Sequence, residues 1–449
     1  MTEHSSTQAD AAGFACPRAR QTLEATLSIP GSKSLTNREL VLAALADGPT
    51  TIRGGLLARD TTLMMDALVQ LGAGIESSVD SDGVPVWTIT PISFTSLSSA
   101  PIVIDCGLAG TVMRFLPPLS LLGFQPVTFT GDEQAQARPM GPIIDALRQL
   151  GAVVDDGGRG TLPFTVTPGG LQTSDHTIRV DASASSQFVS GLLLAAARFP
   201  ATITIEHTGG SLPSVPHIEM TIETLAAHNV DVDYSGTGRW SVMPQTIAAV
   251  DTTIEPDLSN AAPFLAAALV AGGTVSVRDW PSQTTQVGDQ LRTLLREFGA
   301  LIDMEDGVLS AHGAGVGPAV ALSPVSMDLS EAGELAPTLI TLSLFSSGTS
   351  TFRGIAHLRG HETNRLAALV ENIHAVGGIA TETADGIIVT PAPLRGGVWK
   401  AFGDHRMATS GALVGLAVDG VVVDDIDQTA KTLPEFVQLW EQMLRGASS

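Results

Sequence analysis

Apolar residues along the chain fall into short continuous or alternating runs, each ending in an acidic or small residue and followed at once by a stretch rich in Ala, Leu and Gly. The apolar runs predict strands and the small-residue stretches predict helices. This joint occurs six times: Ile29-Pro30-Gly31-Ser32, Ile104-Asp105-Cys106-Gly107, Val180-Asp181-Ala182-Ser183, Pro256-Asp257-Leu258-Ser259, Met327-Asp328-Leu329-Ser330 and Phe402-Gly403-Asp404-His405. Successive joints lie 71 to 76 residues apart.

A second marker, an amphipathic helix running into a turn at Gly72, Gly151, Asn229, Gly299 and Gly377, recurs at steps of 70 to 79 residues. Short runs such as Thr202-Ile203-Thr204-Ile205 and Gly386-Ile387-Ile388-Val389 add further strands. Each unit therefore reads as strand, helix, strand, helix, strand, strand, and the fold class is α/β. The helices after the joints, at Gly191 to Ala197 and Ala261 to Ala271, are apolar all round and belong inside a layer of sheets, whereas the second helix of each unit faces solvent. A period near 75 exceeds the roughly 20 to 50 residues of common solenoids, so six units divide more naturally into two domains of three.

With 449 residues, 44% of them hydrophobic, the chain can bury more than one core. The first twenty residues hold no apolar stretch of signal-peptide length, and no run of about 18 apolar residues could span a bilayer, so the expected location is cytoplasmic. Cys16 and Cys106 are too few for a disulfide framework or a cysteine metal site and read as free thiols. A formal charge of −22 repels polyanions, which argues against nucleic acid or an acidic membrane as partner. Small anions can still bind where cations gather. Only three lysines occur, Lys33, Lys400 and Lys431, and two of them lie in motifs.

The first motif, Pro30-Gly31-Ser32-Lys33-Ser34-Leu35-Thr36-Asn37-Arg38, sets hydroxyls and cations around a helix start, where free N–H groups and the helix dipole favour anions. It is not a P-loop, which needs Gly at the positions of Leu27 and Ser32. Gly107-Leu108-Ala109-Gly110-Thr111-Val112-Met113-Arg114 repeats the logic, although its glycines also fit a packing role. Arg138 lies in a turn, and Ser183, Ser185, Ser186 and Gln187 cluster at the third joint, where serines commonly serve as caps. Then come Leu212-Pro213-Ser214-Val215-Pro216-His217, Glu334 in the fifth joint helix, Arg359-Gly360-His361-Glu362-Thr363-Asn364-Arg365, Arg406 and Lys431. Glu362 and Arg365, three apart, also fit a plain surface ion pair.

Together, in this order, the segments from about Leu27 to Phe436 resemble the 5-enolpyruvylshikimate-3-phosphate synthase family of enolpyruvyl transferases. The resemblance implies six βαβαββ units in two three-repeat domains, an inside-out α/β barrel arrangement, with a two-strand hinge and the active site in the interdomain cleft. One domain would span 34–247, and the other 1–33 plus 248–449. The implied reaction adds the 5-hydroxyl of shikimate 3-phosphate to C2 of phosphoenolpyruvate and expels phosphate, within chorismate and aromatic amino acid biosynthesis. No metal or organic cofactor is implied, and the expected form is a monomer.

Residue by residue, the resemblance assigns Lys33, Gly110, Arg138, Gln187, Arg365, Arg406 and Lys431 to phosphoenolpyruvate, and Lys33, Ser34, Arg38, Ser185, Ser186, Gln187, Ser214, Glu334 and His361 to shikimate 3-phosphate. The implied catalytic groups are Lys33, Glu334 as base and Glu362 as proton donor. Gly110 matches the glycine that leaves room for glyphosate in sensitive members. Glu334 replaces a commoner Asp, His361 a commoner Lys, and His217 stands where many members have Tyr. The enolpyruvyl transferases acting on UDP-N-acetylglucosamine share the fold, but their Asn after the first lysine is Ser34 here and their loop cysteine has no counterpart. RNA 3'-terminal phosphate cyclases would want a basic stripe that this acidic chain lacks.

Overall fold

The computed structural model describes residues 13–94, 101–170, 173–317 and 320–446. The polar tail at 1–12, where the absence of a signal segment is read, lies outside the described residues.

Five of the sheets have four strands in one repeated order, a parallel pair followed by two antiparallel neighbours. In the second unit Ile102–Asp105 runs parallel to Val127–Thr130, which pairs antiparallel with Phe164–Thr167 and, through it, Val153–Asp155. The third and fifth units repeat this with Ile203–His207 and Ser350–Arg353 as their second strands. The sixth differs. It is three-stranded, with Gly397–Trp399 parallel to Val421–Val423 and Phe14–Ala15 antiparallel on the outer edge, and helix Phe436–Arg445 follows in place of a closing hairpin.

The first and fourth units exchange their opening strands. Leu23–Leu27 pairs in parallel with Gly273–Val277 of the fourth unit, while Thr252–Thr253 pairs in parallel with Thr50–Arg53 of the first. The two connections therefore cross side by side, where Ser32 N–H donates to the Glu255 carbonyl at 2.7 Å and Asp257 N–H to the Pro30 carbonyl at 2.8 Å. Gly31 is needed here, since a Cβ would sit 2.1 Å from the Gly54 carbonyl oxygen.

The helices that follow the joints are α1 (Lys33–Leu45), α2 (Gly110–Ser120), α3 (Gln187–Ala196), α4 (Leu258–Ala271), α5 (Ala336–Leu342) and α6 (His405–Gly415). All are largely buried, as their unbroken apolar character predicts. Gly191 lets α2 and α3 touch: a Cβ there would meet the Arg114 carbonyl oxygen at 2.2 Å. The apolar residues form two separate clusters, one drawn from Leu40 to Ile254 and the other from Leu23 to Ile29 and Leu258 to Met443. Cys106 is fully buried, its thiol pushed well above the ordinary range first by burial and then by Asp105. Among the described residues, no helix is long and apolar enough to cross a membrane.

Candidate active site

The joints deliver helix starts to one place. Ser32 Oγ caps α1 by accepting Leu35 N–H at 3.4 Å, Asp257 Oδ1 caps α4 by accepting Asn260 N–H at 2.9 Å, and Asp404 Oδ1 caps α6 by accepting Arg406 N–H at 2.8 Å. The second oxygen of Asp257 accepts Lys33 N–H at 3.1 Å, tying the start of α1 to the start of α4. Burial holds the Asp257 carboxyl above its usual range, with Arg406 opposing.

Between the two clusters these starts enclose a cavity of about 300 Å³. Of the residues singled out in the sequence, Lys33, Ser34, Gly110, Arg138, Ser185, Ser186, Gln187, Ser214, Glu334, His361, Glu362, Arg365 and Arg406 line it. Arg38 and Lys431 stand behind the wall. Arg38 spends its guanidinium on Thr221 Oγ1 at 2.8 Å, the Ser34 carbonyl at 2.9 Å and the His217 carbonyl at 2.8 Å, so it shapes the pocket from beneath. Burial lowers its pKa to about 9, with Glu334 opposing, which leaves it charged at neutral pH.

Three carboxylates face the cavity, Asp257, Glu334 and Glu362, and the two glutamates are held ionised. Burial alone would raise Glu362, but Lys431 at 2.5 Å and Arg365 at 3.0 Å outweigh it and keep the carboxyl well below its usual range. Arg365 is fixed by a two-pronged contact with the buried Asp404, at 2.7 and 3.2 Å. Glu334 shows the same balance, with burial raising it and His217, Arg406 and Ser259 overcoming that rise. Its Oε1 accepts the Ser259 hydroxyl at 2.5 Å. Glu334 sits on a short 3-10 turn, Gly333–Leu335, just ahead of α5 rather than within that helix.

The cations have capacity to spare. Arg138 bonds the Leu108 carbonyl at 3.2 Å, but its buried Nε has no partner, and neither does the buried Oε1 of Gln187. A Cβ on Gly110 would lie 3.0 Å from Gln187 Oε1 and Arg114 Nη1 and 3.3 Å from Arg138 Nη2, so the bare backbone keeps this corner open. Lys33 Nζ bonds Asp60 Oδ2 at 3.2 Å. His361 presents 32% of its side chain to the cavity and lies well below its ordinary range, first through burial and then through Arg365, so its imidazole is neutral in this structure at pH 7.

Several lining residues were not selected from the sequence. Arg114 is buried with an unpartnered Nε, its guanidinium over the Phe188 ring at 5.4 Å and its pKa depressed by burial and by Arg138. Asp257, Ser259, His357 and His405 also face the cavity. Asp257 belongs to the acidic position that recurs in the joints, and that recurrence is the signal that could have found it.

Such a site gathers positive charge and two ionised carboxylates inside a chain of net charge −22, the arrangement that a small polyanion and an acid-base reaction require. Residues 17–440 match the family described as EPSP synthase (3-phosphoshikimate 1-carboxyvinyltransferase). The chain belongs to this family. It is a carboxyvinyl transferase of aromatic amino acid biosynthesis. It is 51% identical over 426 residues to the 3-phosphoshikimate 1-carboxyvinyltransferase of Kocuria rhizophila, a match covering 93% of each chain. Its fold is similar to an EPSP synthase structure from Acinetobacter baumannii, with a TM-score of 0.75 and 23% identity over 96% of this chain and 98% of that one. It is equally similar, at TM-score 0.75 and 17% identity over 98% of both chains, to the enolpyruvyl transferase NikO from Streptomyces tendae.

Proposed function

We propose that the cavity takes shikimate 3-phosphate and phosphoenolpyruvate together, and that the residues around it divide the reaction as follows. Lys33, Arg138, Gln187, Arg365, Arg406 and Lys431, with the open backbone at Gly110, hold phosphoenolpyruvate. Ser34, Ser185, Ser186, Ser214 and His361, with Arg38 supporting them, hold shikimate 3-phosphate, which Lys33, Gln187 and Glu334 also touch. Glu334 takes the proton of the 5-hydroxyl as its oxygen bonds to C2 of phosphoenolpyruvate, and Glu362 supplies a proton to C3. Loss of a C3 proton and cleavage of the C2–O bond to phosphate then leave the enol ether.

Glu362 must be protonated to act as an acid. Arg365, one of the cations that keep it ionised, lines the cavity, so an arriving carboxylate or phosphate competes for it and raises the Glu362 pKa toward the working range. This coupling confines the acid to the loaded enzyme.

One observation carries the reading: Glu334 and Glu362 share a single cavity with Lys33, Arg138, Arg365 and Arg406, between two hydrophobic clusters. We take those clusters as the cores of two domains, 34–247 and 1–33 with 248–449, hinged at the paired crossings. Two anionic substrates in an acidic chain also fit a cytoplasmic monomer that binds neither nucleic acid nor membrane. Phosphate release should be seen from phosphoenolpyruvate with shikimate 3-phosphate and not with UDP-N-acetylglucosamine. Release only with the nucleotide sugar, or with neither acceptor, refutes the proposal.

A further inference from the structure

Glu334 is approached from both halves of the molecule. Ser259, at the start of α4, holds Oε1, and the imidazole of His217 faces Oε2 with Nε2 at 3.5 Å. His217 belongs to the cluster on the other side of the cavity, as the second residue of helix Pro216–Ala227. Its backbone is pinned: the carbonyl accepts Arg38 Nη2 at 2.8 Å, Thr221 Oγ1 at 2.9 Å and Ser190 Oγ at 3.3 Å. Three residues earlier, Ser214 takes a left-handed backbone (φ 54°) and donates its N–H across the cavity to the Ser330 carbonyl at 3.1 Å. The loop before His217 is thus docked on the opposite half, and the ring follows it to Glu334.

Glu has one more side-chain torsion than Asp and must lose that freedom to present an oxygen in one direction. Ser259 restrains one oxygen only. Among the described residues, His217 is the group whose contact with Oε2 comes from across the cavity, and it exists only while the halves are together. Two of the departures noted in the sequence, Glu for Asp at 334 and His for Tyr at 217, are therefore neighbours in space.

We propose that His217 is a positioning residue for Glu334: from across the cavity its Nε2–H holds Oε2, so that Glu334 is aimed at the acceptor hydroxyl only when the two halves meet. The pair acts as a unit in which side-chain lengths match. Shortening Glu334 to Asp withdraws the carboxylate from the imidazole, and the longer tyrosine, with its hydroxyl donor, can restore the contact. The inference rests on the reading of Glu334 as the base.

A double-mutant cycle tests it, with kcat and both KM values measured for His217→Ala, His217→Gln, His217→Tyr, Glu334→Asp and the His217→Tyr/Glu334→Asp pair. Loss of positioning should lower kcat in His217→Ala by about 10- to 100-fold while each KM moves less than about threefold, the scale set by misplacing a catalytic group by about 1 Å. His217→Gln keeps an N–H donor and should regain most of the loss. The Tyr/Asp pair should be at least about fivefold more active than the product of its single losses predicts. Equally, the imidazole nitrogen NMR signals of His217 should shift in Glu334→Gln, a readout independent of turnover. Losses that simply multiply, a defect confined to the KM for shikimate 3-phosphate, or a Gln variant as poor as Ala would overturn the positioning role. Wild-type kcat in Glu334→Gln would instead remove the base reading, and the inference with it.

Discussion

Lys431 Nζ lies 2.5 Å from one oxygen of Glu362, while Arg365 holds the other at 3.0 Å. The carboxylate is thereby part of the cation cluster rather than a free acid, and its proton affinity depends on what else those cations bind.

Glu362→Gln keeps the size of the side chain but carries no transferable proton. Its kcat should fall by about 10² to 10⁴, the usual worth of a general acid, with a much smaller change in the KM for phosphoenolpyruvate. Equal losses in both would mark Glu362 as a structural ion pair only. Steady-state kinetics at saturating shikimate 3-phosphate would decide.

The same group sets an acid limit on the unliganded fold. A carboxyl held below its unfolded value stabilises above that value, about 4.3, and the contribution fades as pH falls through the folded pKa. Denaturant titrations of wild type and Glu362→Gln should therefore differ at pH 7 and converge as the pH drops below about 4.

His361 offers a pH dependence of opposite sign. Its imidazole is neutral without ligand and should gain a proton when the phosphate of shikimate 3-phosphate arrives, so binding should strengthen as pH falls toward the depressed value of the free enzyme. His361→Lys, charged throughout, should flatten that rise in affinity on the acid side of the imidazole reference of about 6.5, read as the KM for that substrate against pH. An unchanged profile would refute this.

Gly110→Ala would place a methyl group 3.0 Å from Gln187 Oε1 and close to Arg138 and Arg114. The KM for phosphoenolpyruvate should rise several-fold, with little effect on shikimate 3-phosphate. By the family resemblance glyphosate would use the space beside Gly110, so it should inhibit the wild type and inhibit the variant less. Inhibition curves at fixed substrate would show both.

Away from the cavity, His228 carries a buried charge. Its Nδ1 meets the Ala248 carbonyl and its Nε2 meets Glu39 Oε2, each at 2.8 Å, and two acceptors require both ring nitrogens to hold protons. Burial opposes that charge, but Glu39 and Ala248 prevail and the pKa is raised. The stabilisation is complete below the unfolded value of about 6.5 and is lost as pH climbs through the folded one. His228→Leu should cost about 3 kcal/mol at pH 6, from leaving Glu39 buried without its partner, and less in alkali. Urea unfolding at pH 6 and 9 would measure the difference.

The repeated joints were legible because a strand that stops at an acid and a helix that starts on it leave a local pattern, and Asp257 and Asp404 do cap their helices. The cation positions followed from the family resemblance. What stayed hidden was pairing at a distance. The alternation of Leu23–Leu27 and the bare Thr252–Thr253 pair would read the same whichever sheet they joined, so no local signal reveals the exchange. Arg38 is two residues from the end of its motif's hydroxyl run, yet only the fold shows that Thr221, Ser34 and His217 consume its donors. The contact between His217 and Glu334 joins residues over a hundred positions apart, and spacing along a chain is silent about that.

The exchanged opening strands also govern the order in which the molecule can be completed as it is made. Leu23–Leu27 is synthesised about 250 residues before its partner Gly273–Val277. At about 5 to 20 residues per second this strand waits roughly 12 to 50 s with its edge unpaired. The other half waits almost as long, since Thr50–Arg53 precedes its parallel partner Thr252–Thr253 by about 200 residues, but its sheet is complete before the fourth unit is made. A nascent chain whose residues through 257 have cleared the ribosome should thus already hold one finished half, together with a strand whose sheet has not yet been synthesised.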